Sequence, residues 1–254
     1  MPRIDRVFTQ SLCLMVGTLL TGCPTTDGPP QYTLFIENNS NQPLSPVVAA
    51  THSTSVVVWE EGQLASSGMG TLAETGEIGE LFSELQAQSQ VTDVVSARIP
   101  MPSQGRVVPR FAPGTVGGPD LVDNQRITIT AQPGDVISLA SGLLGTNDGF
   151  WGLDAVPLPE SGSLIYFARG YDAGTEENNE LEDFINDDAS RLGPTVIPGD
   201  DPDTETEPDN RREATSPPQG IRAHTGITGE NDIPVDFDFD GILLQITITA
   251  VEAS

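Results

Sequence analysis

The sequence predicts a mainly β domain, an antiparallel two-sheet β-sandwich with one or two short helices. Apolar and polar residues alternate with a period of two in four segments of the second half, which are residues 126–131, 135–140, 163–168 and 242–251. Turn-forming residues separate these segments, as in all-β sandwiches. Both faces of the last segment carry apolar or threonine side chains, which is typical of a strand inside a stack of two sheets.

The first half mixes extended segments with a single helical pattern. Extended structure is predicted at residues 32–38 and 43–51, and a short strand or buried segment at 56–59. Between residues 73 and 87, apolar side chains recur at positions i, i+3, i+4 and i+7, which gives one apolar helix face. Two glycines interrupt this region. The sequence therefore predicts one helix or two short ones.

The N-terminus has the features of an export signal. Residues 1–22 combine two early arginines with a short apolar run, which is too brief for a permanent membrane span. Cys23 follows Leu-Thr-Gly, the pattern that lipoprotein signal peptidases cut before cysteine, and residues 23–31 form a polar, proline-rich tether. We therefore expect lipidation of Cys23; the alternative is an ordinary cleaved signal in which this cysteine is incidental.

The acidic composition excludes some partners. The formal net charge is −26, and all 11 basic residues are arginine. Such a surface repels phosphates and anionic headgroups, so we expect no nucleic acid partner and no membrane contact beyond the lipid anchor. Two interpretations of the charge stay open, an adaptation to high salt and a calcium-rich adhesive surface.

One folded domain accounts for the exported chain. Residues 32–252 are long enough for one large β domain or two small ones, and we expect one. No cysteine is left in them for a disulfide or a soft-metal site. Residues 200–218 are rich in Asp, Glu, Thr and Pro, and almost no apolar side chain occurs there. We expect this segment to be a mobile acidic surface insertion.

Two oxygen-rich turns stand out in the middle of the chain. The first is Thr-Asn-Asp-Gly-Phe-Trp-Gly-Leu-Asp at residues 146–154, and the second is Tyr-Asp-Ala-Gly-Thr-Glu-Glu-Asn at 171–178. The apolar segment between them reads as strand, turn and strand, which brings both turns to one end of a sheet. Carboxylates and carbonyls gathered there suit a hard cation. Alternatively, the acidic residues only cap turns through side-chain-to-backbone hydrogen bonds.

These two turns, with Leu-Ser-Pro-Val-Val-Ala-Ala-Thr-His at residues 44–52, resemble the spondin domain family. The resemblance covers roughly residues 31–251, and the Tyr-Asp-Ala-Gly-Thr-Glu motif is its most specific part. It implies a calcium-binding, C2-like β-sandwich of the cell surface and no catalytic activity.

By this resemblance, Ca²⁺ is the expected cofactor, and Asp148, Asp172 and Glu176 are its expected ligands. The resemblance places aspartate where this chain has Glu176, so the longer side chain alters the coordination. Further oxygen donors in the same turns are possible additional ligands: Asn147, Asp154 and Asn178. A second acidic segment, residues 236–241, resembles half of an EF-hand loop but lacks the closing glutamate, so an edge strand is the better interpretation.

A catalytic set is not evident. His52 and His224 are the only histidines, and neither a Gly-x-Ser-x-Gly nor a His-Glu-x-x-His pattern is present. We expect an exported, lipid-anchored, calcium-binding protein of the cell surface or periplasmic face that acts in adhesion or matrix interaction and binds an extracellular protein or glycan. The alternatives are a metal-dependent hydrolase that uses the same acidic cluster and a ligand-free structural envelope domain.

Overall fold

The structure, a computed structural model, describes residues 28–40, 42, 44–97, 126–181, 184–185, 214–231, 233, 235–239 and 241–252. The predicted signal segment, Cys23 and most of the acidic insertion lie outside these residues. The described part contains nine β-strands and two α-helices: β1 Gln31–Asn38, β2 Val47–His52, α1 Ser67–Thr75, α2 Gly79–Gln86, β3 Val91–Ala97, β4 Arg126–Thr130, β5 Val136–Gly142, β6 Gly149–Pro157, β7 Ser163–Asp172, β8 Arg222–Ala223 and β9 Ile242–Ala250.

All strand pairings are antiparallel and belong to one sheet, in the order β3-β2-β5-β6-β7-β9-β1-β4, with β8 paired to β7. The two end strands approach each other through a side chain. Asp93 Oδ2 of β3 accepts hydrogen bonds from the backbone N–H and the hydroxyl of Thr130 of β4, at 2.9 and 2.8 Å. The sheet is therefore a nearly closed barrel.

A mainly β fold with two short helices was expected and is confirmed, but one continuous sheet stands where two separate sheets were predicted. The link is the pairing of residues 149–152 of β6 with residues 169–172 of β7. Beyond that point β6 remains paired with β5, and β7 remains paired with β9. β6 is irregular at Ala155, whose φ of 43° is unusual for a residue other than glycine. Sequence alternation predicts strands but not which of them pair.

The sheet buries apolar side chains on both faces. One face lines the barrel interior with residues such as Leu34, Trp151 and Ile246. The opposite face of β2, β5 and β6 packs against the two helices and against Trp59, whose ring meets that of Phe150 edge-on at 5.2 Å between centroids. The large aromatic residues Trp59, Phe150 and Trp151 therefore belong to the core.

The helical region begins earlier than the apolar pattern predicts. Ser66 caps α1 by accepting a hydrogen bond from the Met69 N–H, and Gly76 ends it in the left-handed conformation at φ 72°. The predicted interruption between residues 73 and 87 is thus confirmed. Of the two alternatives at residues 56–59, a short strand and a buried segment, the structure shows the buried segment. Strand β3 was not predicted.

The closure of the barrel at Asp93 leads to a first prediction. Asp93→Ala leaves the Thr130 N–H without its acceptor, so we expect a loss of about 1 to 3 kcal/mol in the free energy of unfolding. Urea denaturation of the purified protein measures this loss. Glu160→Ala, at an exposed position in the turn after β6, is the matched control and should change stability by less than about 0.5 kcal/mol. Equal effects of the two variants would contradict the closing role of Asp93.

Candidate functional site

Strand pairing places the two oxygen-rich turns side by side. Asp148 directly precedes β6, Asp172 ends β7, and Gly149 pairs with Asp172 in the ladder between these strands. The backbone continues the contact past the ladder, since the Ala173 N–H donates to the carbonyl of Asp148 at 3.0 Å. The expectation that both turns meet at one end of a sheet is therefore met in the described structure.

Asp148 is fully buried and organises the second turn. Its Oδ2 accepts three hydrogen bonds, from the Thr175 N–H at 2.7 Å, the Thr175 hydroxyl at 3.1 Å and the Glu176 N–H at 2.9 Å. Its other oxygen, Oδ1, is buried and has no hydrogen-bond partner in the described structure. A buried carboxylate oxygen without a partner is costly, so this atom marks a place for a proton or a cation.

The second turn requires glycine at its centre. Gly174 has φ 74°, and a Cβ there would collide with the carbonyl of Gln219. Its N–H donates to Asp172 Oδ1 at 2.7 Å, and its carbonyl accepts from the Gln219 N–H at 3.0 Å and the Thr215 hydroxyl at 2.6 Å. Thr215, near the end of the predicted insertion, is therefore buried against this turn. Thr215 is the buried residue of the described segment 214–218, whose other residues are exposed.

Asp172 already has a positively charged partner. Its Oδ2 accepts from Arg222 Nη2 at 2.7 Å and from Asn178 Nδ2 at 2.5 Å. Among the described residues, its Oδ1 accepts a hydrogen bond only from the Gly174 N–H. A carboxylate oxygen has two acceptor positions, so Asp172 retains capacity to bind a cation. Asp172 and Glu176 are both nearly fully buried.

The electrostatics of the site distinguish Asp148 from its neighbours. Burial, and secondarily the nearby charge of Asp172, raise the pKa of Asp148 to about 6, although the hydrogen bonds from Glu176 and Thr175 act in the opposite direction. Burial dominates because the ionised form loses its hydration. Asp148 therefore holds a proton at a pH at which an ordinary aspartate is ionised.

The predicted ligands do not all come together. The turns hold Asp148, Asp172, Glu176 and Asn178, and Asn147 lies next to Asp148 with its amide bonded to Asn179 Oδ1 at 3.0 Å. Asp154 is six residues further along β6, roughly 20 Å of extended strand from Asp148. In the described part of the chain, no group of three or more His, Cys, Asp or Glu side chains has already converged as a metal ligand set.

A polar cavity of about 160 Å³ adjoins the turns. Its walls are the loops that follow β7 and β8, and Glu180 joins these loops. The Glu180 carboxylate accepts from the N–H groups of Thr228 at 2.7 Å and Gly229 at 2.8 Å, while Glu180 itself has φ 53°. His224 lines the cavity, and burial lowers the pKa of its imidazole.

Sequence reasoning did not identify Arg222 or Glu180, and it assigned no binding role to His224. Arg222 and Glu180 contact partners about 50 residues away in the chain, so no local spacing marks them. The sequence offered one weak signal for Arg222, which is that positive charges are few in this chain and each must be placed among carboxylates.

The described structure contains one histidine–serine contact that resembles a hydrolytic pair, and it lies away from the two turns. His52 Nε2 lies 2.9 Å from Ser138 Oγ, and His52 Nδ1 lies 2.9 Å from the Ser53 carbonyl. His52 is fully buried and Ser138 is 1% exposed, so a substrate has no access to this pair. Ser138 Oγ also accepts the Ala155 N–H at 2.8 Å, which supports the irregular point of β6.

The comparison with known families agrees with the turn motifs. Residues 29–112 match the family described as Spondin_N. This match supports a spondin-type domain over residues 29–112 of the chain. The match covers β1 to β3 and both helices, whereas the three candidate carboxylates lie beyond it. Spondin-type domains form an extracellular, matrix- or adhesion-type family that is not a known enzyme family.

Two further observations accompany the match. No curated protein sequence matches the chain. In the part of the chain that the structure describes, neither helix is long and apolar enough to cross a membrane.

The raised pKa of Asp148 leads to a second prediction. The folded pKa is about 6 and the unfolded value is near 4, so the folded protein binds this proton more tightly. The proton on Asp148 therefore adds about 3 kcal/mol to the free energy of unfolding at low pH. This contribution is complete below about pH 4 and is lost as the pH rises through about 6.

The measurement is urea denaturation in chelator from about pH 4 to about pH 7, for the native protein and for Asp148→Asn, which cannot titrate. The native protein should lose about 3 kcal/mol relative to the variant over this range. Because the other carboxylates titrate alike in both proteins, their difference isolates Asp148. Parallel pH profiles would show that Asp148 does not hold the proton.

Proposed function

We propose that this spondin-type chain is an exported, membrane-anchored protein that binds Ca²⁺ with Asp148, Asp172 and Glu176 and acts in adhesion or matrix interaction. The observation that carries the proposal is Asp148 Oδ1, a buried carboxylate oxygen without a partner in the described structure, beside a second buried aspartate. A divalent cation would bind this oxygen and offset the repulsion between the two carboxylates.

The oxygen donors of the two turns are of the chemical type that binds calcium, and some of them are already in position to do so. Hard carboxylate oxygens and turn carbonyls are the ligands that Ca²⁺ prefers, and the mature domain has no cysteine to favour a softer metal. Asp148 Oδ1 and the second acceptor position of Asp172 Oδ1 are available. Glu176, whose N–H is bonded to Asp148 Oδ2, is the third expected ligand, and its carboxylate would complete the set.

Arg222 supplies positive charge to Asp172 when no cation is bound. The guanidinium holds Oδ2 and leaves Oδ1, so a cation and Arg222 can share this carboxylate. Its presence also favours the alternative of a ligand-free structural domain, since it stabilises the turn without an ion. The response to calcium distinguishes the two functions.

Calcium should raise the melting temperature of the purified protein. A ligand that binds only the folded state at a hundredfold excess over Kd adds about 2.7 kcal/mol, or roughly 5 to 10 °C for a domain of this size. The effect should be lost in Asp148→Asn and reduced in Asp172→Asn. Differential scanning calorimetry in chelator and in millimolar calcium, at constant high salt, measures it.

Asp154→Asn is the matched control for these variants. This variant removes one carboxylate from β6, the strand that follows Asp148, at a position far from the two turns. It should keep the full calcium response. Constant salt is needed because screening alone stabilises so acidic a chain. Identical melting curves with and without calcium would instead favour the ligand-free structural domain.

The proposed anchor is the lipidated Cys23, after removal of residues 1–22. Replacing Cys23 with serine should move the protein from the membrane fraction to the soluble exported fraction, or leave an uncleaved precursor. Cys13→Ser, which changes the only other cysteine, is the matched control and should stay in the membrane fraction. Mass spectrometry that finds Cys23 unmodified in the membrane-bound protein would contradict the anchor.

A further inference from the structure

The cavity beside the two turns contains a buried donor that the calcium site does not use. His224 Nδ1 accepts the Gly226 N–H at 3.0 Å, so in the neutral imidazole the proton lies on Nε2. Nε2 is buried and has no hydrogen-bond partner in the described structure. The ring is held between Phe239, 5.0 Å away between centroids, and Gly149, where a Cβ would come 3.2 Å from His224 Cδ2.

The rest of the lining is polar but mostly uncharged. Amide and hydroxyl groups predominate, from Thr146, Asn147, Asn178, Thr225 and Asn231 among others. Asn178 uses its Nδ2 to bind Asp172. The carboxylate of Glu180 is occupied by the 228–230 loop. A lining that both donates and accepts hydrogen bonds matches hydroxyl groups, which do the same.

Charge and size narrow the ligand class further. The carboxylates of Glu180 and Glu230 line the cavity, and those of Asp172 and Asp238 lie near His224. Because Arg222 is already bonded to Asp172, an anion is disfavoured. The Nε2–H of a neutral imidazole needs an acceptor and repels a cation. The volume of about 160 Å³ holds roughly five waters, which is enough for one small ring and too little for a polymer segment.

We propose that this cavity binds a neutral sugar residue, the end of a glycan, with His224 Nε2 donating to one of its hydroxyl oxygens. A glycan would then be the partner in the proposed adhesive function, and the biological role of this site rests on that function. Sugar binding itself does not require calcium. The exposed rim at Asn178, Thr225 and Asn231 leaves the remainder of a glycan in solvent.

The presence of only two histidines in the chain makes the test specific. The imidazole ¹⁵N and ¹H signals of the purified protein are followed by NMR during titration with glucose, galactose and N-acetylglucosamine, each to high millimolar concentration. We expect a saturable shift of the His224 signals with at least one sugar and unchanged His52 signals. Titrations in chelator and in calcium separate this result from the calcium site.

Two variants test whether the cavity itself is the binding site. His224→Phe keeps a ring against Phe239 but removes the donor, and Thr225→Trp blocks the exposed rim. Each should weaken sugar binding by about tenfold or more in calorimetry while the melting temperature stays near that of the native protein. Thr71→Ala, on the exposed face of α1, is the control and should bind normally.

Several outcomes would overturn the proposal. They are the absence of a saturable His224 shift with every sugar, an equal response to acetate or to calcium alone, and undiminished sugar binding in both variants. A calcium response of the melting temperature without sugar binding would leave the calcium proposal standing and reject only this one. Sugar binding without any calcium response of the melting temperature would leave the sugar proposal standing and reject the calcium proposal.

Discussion

The hydrogen bonds that Asp148 Oδ2 accepts from Thr175 and Glu176 support this end of the molecule. The turn after β7 leaves the ladder, so its N–H groups have no strand partner and would be buried without an acceptor. One carboxylate from the preceding loop satisfies two of them and a hydroxyl as well. The segment at Thr215 then packs on the turn that Asp148 has fixed.

The position of the site follows from the way the sheet is joined. The strands on the two sides of the barrel are linked by the short ladder between β6 and β7, and this ladder lies at the site end. The strands diverge beyond Gly152, and β6 becomes irregular at Ala155, whose N–H is bound by Ser138, the partner of His52. The turns therefore lie where the sheet is continuous, with the ring of Phe150 stacked 5.6 Å from Tyr171 behind them. A rigid support of this kind favours a binding site.

The sequence predicted those elements that a pattern of neighbouring residues determines. Strands β5 and β9 and the break near Gly76 follow from alternation and from glycine, which are visible within a few residues. The meeting of the two turns was predictable because a hairpin connects them. Strand β3, only partly buried along most of its length, gave no clear alternation, and sheet continuity depends on pairings between distant segments. The same holds for Arg222, whose carboxylate partner is 50 residues away.

The two interpretations of the acidic turns, capping and cation binding, are compatible because a carboxylate has two oxygens. Asp148 caps with Oδ2 and keeps Oδ1, and Asp172 gives Oδ2 to Arg222 while Oδ1 has one position left. Capping and the Arg222 ion pair hold the turn in shape without an ion. On the proposed function, calcium therefore binds a turn that is already formed, so its free energy of binding adds to stability rather than being spent on ordering the loop.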